Sequence, residues 1–380
     1  MNDVTEILES LVGFPSVCRT PNHAIVAYAR DRLAGLGAAV TEIPGPEGDR
    51  SNLFATFGPR NVPGYVLSAH LDVVPVAQEG WTGDPFRLRR DGDRLVGRGA
   101  ADMKGFVACA LSAAAALPRR LSRPLHIALS YDEEVGCVGV RHMIARLPEL
   151  CAPPLGCIVG EPTGLRPVLR HKGKAGGRVT VSGRSGHSSR PDLADNAIHL
   201  AAEVVLAIRA RHDRFAAEGP FHGAFAPPAS TLQVGVIGGG TSLNTVPDAC
   251  RVDWEVRAVP GVEPLAVAAE IAAAVERILA PHRAAGREVG ALCEVLSAYP
   301  ALDLAAESEL CGLVAGLSGR AVLEAVSYGT EAGLYQAAGV PSIVCGPGDI
   351  AQAHRPDESI AASELVEGRA MLLRLADALA

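Results

Sequence analysis

The segment LHIALSYDEEVG, residues 125–136, joins an apolar run to three adjacent carboxylates, Asp132, Glu133 and Glu134. The apolar run has the length and composition of a buried β-strand. Three neighbouring negative charges repel, since two unit charges ~4 Å apart interact by about 4 kcal/mol at an effective dielectric of 20. Either a solvated turn screens this repulsion or a bound cation removes it. The segment thus predicts a strand in an α/β sheet with a charged site at its end.

The surrounding sequence alternates strands and helices over the first ~170 residues. Apolar strand patterns end at His70 and just before Glu161, and MKGFVACALSAAAAL, residues 103–117, has a helical composition. Such alternation indicates a sheet that helices cover on both faces. We therefore expect an α/β domain with a mixed central sheet flanked by helices.

A second pattern begins after HKGKAGG, residues 171–177. It has the order β-α-β-β-α-β of the ferredoxin-like split motif, with strands near 177–183, 230–239, 249–259 and 291–297 and helices near 194–212 and 263–281. The α/β pattern returns from about residue 299. We expect one domain of residues 1–173 and 299–380, with an α+β domain of residues 174–298 inserted into it.

The composition limits the classes of molecule that the protein is expected to bind. The net charge of −7 comes without basic blocks, which argues against nucleic-acid and anionic-membrane binding. The longest apolar run stops at Pro118 after a dozen residues, whereas a membrane-spanning helix needs ~20. Nine scattered cysteines without a C-x-x-C pair suggest reduced thiols in a cytoplasm.

Polar residues gather where the predicted strands end, and chemistry in open α/β sheets takes place at that edge. Two histidines and three carboxylates are a donor set for zinc, with cobalt or manganese as substitutes. Each residue alone would more often be a solvated loop residue. Five ligands exceed the three protein ligands of one catalytic zinc. Five ligands suffice for two metal ions if one carboxylate bridges them and each ion has two further ligands. This arrangement leaves room for a shared hydroxide that attacks the substrate.

Seven motifs in order resemble the two-zinc aminoacylase and carboxypeptidase superfamily: SAHLDVVPV, GRGAADMKG, DEEVG, GEPT, SGHSSRPD, SLNTVPD and AHRPDE. The resemblance covers nearly the whole chain and implies a zinc-exopeptidase-like fold with an inserted lid and dimerisation domain. Leu71 stands where the superfamily often has Thr, but this position is not a ligand.

The resemblance also implies roles for individual residues. Asp102 would bridge the metals, with His70 and Glu161 on one ion and Glu134 and His354 on the other. Asp72 would accept the second ring N–H of His70 and so orient it. Glu133 would be the general base and later the acid for the leaving amine. A cis peptide between Asp102 and Met103 is implied as well.

The inserted domain would add substrate contacts and an assembly. His187 would stabilise the oxyanion in the partner subunit of a homodimer, while Asn244 and Arg257 would bind substrate, Arg257 through the α-carboxylate. Near the last strand, Glu331 would face a cationic amine of the substrate or else cap the following helix.

The segment 328–358 is most similar to superfamily members that deacetylate N2-acetyl-L-ornithine, a step in arginine biosynthesis. The alternatives are a desuccinylase of succinyl-diaminopimelate, a broader N-acyl-amino-acid deacylase, or a non-catalytic relative that binds metal or amino acids. A degenerate relative should have lost a ligand or the base, and this chain keeps all of them.

Overall fold

The computed structural model describes residues 4–77, 79–118 and 120–380. The helices are α1 (Val4–Val12), α2 (His23–Gly35), α3 (Lys104–Ala114), α4 (Val140–Ile144), α5 (Leu147–Leu150), α6 (Ala197–Glu218), α7 (Pro264–Ala284), α8 (Glu309–Ser318), α9 (Ala332–Ala337) and α10 (Ala362–Ala378). The strands are β1 (Ala39–Pro44), β2 (Ser51–Phe57), β3 (Tyr65–His70), β4 (Arg89–Asp91), β5 (Arg94–Val96), β6 (Leu125–Ser130), β7 (Gly156–Pro162), β8 (Arg170–His171), β9 (Gly173–Ser182), β10 (Gly186–His187), β11 (Thr231–Gly239), β12 (Thr245–Val246), β13 (Ala249–Ala258), β14 (Gly290–Tyr299), β15 (Leu302–Asp303), β16 (Ser342–Gly346) and β17 (Ser359–Ala361).

The chain divides into two compact units. Unit 1 comprises the residues up to Arg170, Leu302–Val326 and Thr330–Ala380, and unit 2 comprises His171–Ala301 and Ser327–Gly329. The sequence pattern placed the two main junctions a few residues away, at 173/174 and 298/299. It gave no sign that the short piece Ser327–Gly329 packs with unit 2.

Unit 1 is built on a six-stranded sheet of order β1-β2-β6-β3-β7-β16. The pairs β6–β3, β3–β7 and β7–β16 are parallel, while β1–β2 and β2–β6 are antiparallel. Helix α3 is buried over its full length and packs against β3, α1 and α10. Its small apolar residues allow this close packing. The expected mixed sheet flanked by helices is confirmed.

Unit 2 contains a four-stranded antiparallel sheet of order β11-β13-β9-β14. Helices α6 and α7 pack on this sheet, and β9 alternates between buried and partly exposed residues, as a strand with one covered face should. The chain order β9-α6-β11-β13-α7-β14 is that of the predicted ferredoxin-like domain. The structure extends α6 to Glu218, beyond the predicted end at residue 212.

Candidate metal centre

Four parallel strands of unit 1 bring polar side chains to one edge of the sheet. His70 ends β3, the acidic triplet follows β6, and Glu161 lies near the end of β7. His354 comes from the segment after β16, and Asp102 from the loop before α3. The carboxyl ends of parallel strands meet at the same edge, which is where open α/β sheets hold their sites.

The carboxylate of Asp102 lies between the two histidines. Its Oδ1 is 3.1 Å from Nε2 of His70, and its Oδ2 is 3.1 Å from Nε2 of His354. Each imidazole therefore faces a different oxygen of the same carboxylate. The peptide bond between Asp102 and Met103 is cis.

Two further carboxylates each approach one of these histidines. Glu161 Oε1 is 3.7 Å from His70 Nε2, and Glu134 Oε2 is 2.8 Å from His354 Nε2. Two ligands of one tetrahedral zinc at about 2.1 Å from the ion stand roughly 3.4 Å apart. The nitrogen–oxygen distances are near that value, and the two nitrogens and three carboxylates are donors that zinc, cobalt and manganese accept. These side chains can hold divalent metal ions.

Burial and crowding set the protonation of the acids. Burial, with the charges of neighbouring groups, raises the pKa of Glu133 to about 8 and that of Glu134 to about 7, and raises the pKa of Glu161 well above its ordinary range. Burial also raises the pKa of Asp102, but hydrogen bonds with His354 and His70 outweigh it and lower that pKa. Such a cluster retains protons unless cations replace them.

The orientation of His70 differs from the expectation for Asp72. Nδ1 of His70 is 2.9 Å from the backbone carbonyl oxygen of Asp72 and 3.6 Å from the carboxylate oxygen Oδ1. A carbonyl only accepts, so Nδ1 carries a proton, and Nε2 is the ring nitrogen that faces the Asp102 carboxylate. The Asp72 carboxylate instead accepts the backbone N–H groups of Glu133 and Glu134, at 3.1 and 3.2 Å. The Asp72 side chain therefore fixes the acidic segment by hydrogen bonds, while its backbone carbonyl orients the imidazole.

The three adjacent acids point to different partners. Asp132 pairs with the guanidinium of Arg50 and accepts the backbone N–H of Arg19. Glu134 faces His354. Glu133 is partly exposed, and the thiol of Cys137 donates to its Oε1 at 3.2 Å. The crowding that the sequence shows is thus relieved by the ion pair of Asp132 with Arg50 and by the imidazole of His354 that faces Glu134.

Glu331 does not occupy the position expected from the sequence. Its side chain is 1% exposed. Its two oxygens accept the hydroxyls of Ser68 and Ser130, at 2.5 and 2.8 Å, and it makes no side-chain cap to α9. Burial and two serine hydroxyl bonds leave this carboxylate without a side-chain cap to α9 and argue against direct contact with a substrate. Glu331 joins β3, which ends at His70, to β6, which precedes the acidic triplet.

The remaining predicted residues belong to unit 2. His187 on β10 is exposed, and its neighbour Ser188 donates its backbone N–H to the carbonyl of Asn244 at 3.0 Å, so these two segments lie together. Arg257 on β13 donates from Nε to Glu255 Oε1 at 2.7 Å and from Nη1 to the hydroxyl of Tyr299 at 3.3 Å.

Glu358, a polar neighbour of the candidate metal centre, was not predicted from the sequence. Glu358 is buried and accepts the backbone N–H groups of Ala101 and Asp102. The available signal was its spacing, four residues after His354 in AHRPDE. Spacing in a loop does not show where a side chain points.

The fold and this cluster define a metal-binding α/β enzyme. A family model described as Peptidase family M20/M25/M40 matches residues 66–378. The chain belongs to this family, and it is a metal-dependent hydrolase.

Curated proteins of similar sequence carry the name acetylornithine deacetylase. Acetylornithine deacetylase of Vibrio vulnificus (strain CMCP6) is 36% identical over 350 residues, covering 90% of this chain and 87% of the relative. Acetylornithine deacetylase of Proteus mirabilis (strain HI4320) is 33% identical over 366 residues, covering 93% and 91%. The resemblance found in the motifs is confirmed.

Solved structures share the fold at low identity. A metallo-carboxypeptidase of the same family from Sulfolobus solfataricus superposes with a TM-score of 0.78 at 17% identity, covering 99% of both chains. The YXEP protein of Bacillus subtilis, a dinuclear metal-binding peptidase, superposes with a TM-score of 0.68 at 16% identity, covering 99% of this chain and 97% of its own. Among the described residues, no helix combines the length and apolarity needed to cross a membrane.

Proposed function

We propose that this chain removes the acetyl group from N2-acetyl-L-ornithine, giving L-ornithine and acetate as a step of arginine biosynthesis in the cytoplasm. The observation that carries the proposal is the carboxylate of Asp102 between two imidazoles, with Glu133 beside it. The relatives that bear the name acetylornithine deacetylase at 33–36% identity favour this substrate.

The site would hold two divalent ions, which we propose are zinc. Each ion would have its own two ligands, and both ions would share Asp102. His70 and Glu161 would bind one ion, and Glu134 and His354 the other. The distances of 3.7 Å between His70 and Glu161 and of 2.8 Å between His354 and Glu134 support this division. When bound, the ions supply Lewis acidity toward the acyl oxygen and lower the pKa of water.

Glu133 is the proposed proton carrier. Its carboxylate takes a proton from the attacking water as the water oxygen bonds to the acyl carbon. It then gives that proton to the amine nitrogen as the carbon–nitrogen bond breaks. The thiol of Cys137 holds one carboxylate oxygen, and the partial exposure of Glu133 lets substrate reach it.

His187 is the proposed oxyanion donor, given by the partner subunit of a homodimer. The backbone N–H of Ser189 donates to Nδ1 of His187 at 3.2 Å. The proton of the neutral ring therefore sits on Nε2, which can donate to a developing negative charge. Arg257 would bind the substrate's α-carboxylate, since a guanidinium offers paired N–H groups, and Asn244 would add an amide contact.

Exposed apolar side chains support dimerisation through unit 2. Val236 and Ile237 on β11 are 44% and 53% exposed, and Leu292 and Val295 on β14 are 59% and 51% exposed. Both strands are edges of the sheet. Unpaired apolar edges are the features that association between subunits covers.

Steady-state turnover of the metal-loaded protein tests the substrate. N2-acetyl-L-ornithine, succinyl-diaminopimelate and N-acetyl-methionine are compared, with chelator-treated protein as the control. The highest kcat/KM is expected for acetylornithine. A preference for either other compound would identify the desuccinylase or the broader deacylase, and metal binding without hydrolysis of any of them would indicate a non-catalytic relative.

A further inference from the structure

A buried ion pair outside the proposed ligand set lies beside the metal centre. Arg98 Nη1 donates to Glu358 Oε2 at 2.7 Å, and the two residues are only 3% and 1% exposed. Arg98 follows β5, and Glu358 precedes β17. Burying a carboxylate and a guanidinium together is costly unless further hydrogen bonds satisfy them.

The second oxygen of Glu358 supplies those bonds. Oε1 accepts the backbone N–H of Ala101 and the backbone N–H of Asp102, each at 3.0 Å. The main chain of Glu358 holds the same loop, because its carbonyl accepts the backbone N–H of Gly97 at 2.9 Å. Glu358 therefore fixes the backbone from which the Asp102 side chain projects.

The same ion pair connects this loop to the segment that carries His354. His354 precedes Glu358 by four residues, and Arg98 Nη1 is also 3.5 Å from the carbonyl oxygen of Arg355. The loops of Asp102 and His354 are thus joined through Glu358 and Arg98. The side chains of Asp102 and His354 themselves approach each other to 3.1 Å.

We propose that Glu358 is a positioning residue that holds Asp102 where its two oxygens serve two metal ions, and that Arg98 neutralises the buried charge. This inference rests on the proposed ligand set and is independent of the substrate. Groups that orient metal ligands by hydrogen bonding typically change metal affinity 10- to 100-fold when removed. An ion pair that only fills the core would leave the metal affinity unchanged.

Metal titration of Glu358→Gln tests the role. Both oxygens of Glu358 accept hydrogen bonds, whereas the glutamine amide has one oxygen and one NH₂ group. The NH₂ group would face a donor, either Arg98 or the backbone N–H groups, so at least one hydrogen bond is lost. In competition with a chromophoric chelator, the affinity for Zn²⁺ should fall about 10- to 100-fold for both ions. The visible absorption of the Co²⁺-loaded protein should also change, because that spectrum reports ligand geometry.

Asp357→Asn is the matched control. Asp357 adjoins Glu358 and accepts from Arg89 Nη2 at 2.7 Å, the same length as the bond from Arg98. It is partly exposed and accepts no bond from the Asp102 loop that the structure records. Its loss should leave Zn²⁺ affinity and the Co²⁺ spectrum as in the unaltered protein.

Glu358→Asp covers the case in which the glutamine variant does not fold. It keeps the charge but withdraws the carboxylate by one carbon–carbon bond, ~1.5 Å, so affinity for both ions should again fall. Wild-type affinity in either folded variant, or a loss confined to one ion, would overturn the positioning role.

Asp102→Ala in the same titration separates this failure from a wrong ligand set. If that variant binds both ions normally, the ligand set itself is wrong, and the role of Glu358 falls with it. If it loses both ions while the Glu358 variants do not, only the positioning role fails.

Discussion

The two units surround the charges of their candidate residues differently. In unit 1, His70, Asp102 and Glu161 are 1%, 6% and 5% exposed. In unit 2, His187 is exposed, and charged residues pair across the sheet surface, as Arg178 does with Asp253 at 2.8 Å. Buried charges interact in a lower effective dielectric and are less screened by salt. Substitution of a buried candidate ligand in unit 1 should therefore cost more than substitution of His187 in unit 2.

The largest effect is expected for Asp102→Ala. Because its two oxygens face two imidazoles, both ions should bind more weakly, and turnover should fall by more than the ~10²–10⁴-fold that one proton-transferring group contributes. Elemental analysis and steady-state kinetics measure the two losses. Asp91→Ala, at an exposed hairpin position, serves as control. Retention of one ion at full affinity would contradict a shared ligand.

Glu133→Gln should separate proton transfer from metal binding. Turnover should drop ~10²–10⁴-fold while both ions remain, since Glu133 is not a proposed ligand. Glu134→Gln, one residue away, should instead lose metal. Elemental analysis of the two variants decides between them, and metal loss in Glu133→Gln would reverse their assigned roles.

A substitution in unit 2 tests whether an exposed residue can still matter to catalysis. His187→Ala should lower kcat by about 10²–10³-fold, as loss of one oxyanion donor does, with metal content unchanged. Mixing this variant with Glu133→Ala should restore partial activity in heterodimers, because one site then has both residues. Subunit exchange followed by mass spectrometry must accompany the assay. Subunit exchange without recovery of activity would show that His187 does not act in the site of the partner subunit.

The smallest effect should come from Glu331→Gln, which removes a charge but no ligand. Burial raises the pKa of Glu331 above its ordinary 4.5, so the folded chain keeps this proton to a higher pH than the unfolded chain does. Its contribution to stability is full below the unfolded pKa and is lost as pH rises through the folded pKa. The melting temperature of the variant relative to wild type should therefore increase from pH 5 to pH 8.

This shift should amount to a few degrees, since 1 kcal/mol moves Tm by roughly 2–4 °C in domains of 150–250 residues. Thermal melts of chelator-treated protein measure it. In kinetics, acetylornithine and acetylmethionine should be affected alike, because the side chain is buried. A selective loss on acetylornithine would mean that Glu331 reaches the substrate.

Sequence could predict much of this architecture because periodicity and motif order are local signals. The strand that ends at His70 and the β-α-β-β-α-β order of unit 2 follow from alternation and turn chemistry. Side-chain direction is not local. Glu331 has the composition of a cap or a pocket residue, yet Ser68 and Ser130 from distant strands bind it. The bonds from the backbone N–H groups of Glu133 and Glu134 to Asp72 could not be predicted for the same reason.

The proposed ligands run from residue 70 to residue 354 of a 380-residue chain, which has a consequence during biosynthesis. A nascent chain contains Asp102 and His70 long before His354 is made, and the whole of unit 2 is translated between Glu161 and His354. Until then, Asp102 lacks one of the two imidazoles that face it in the folded chain. Domains form as units while the ribosome works, and contacts between distant residues must await their later partner. Completion of the proposed two-metal site must therefore wait until His354 has been made.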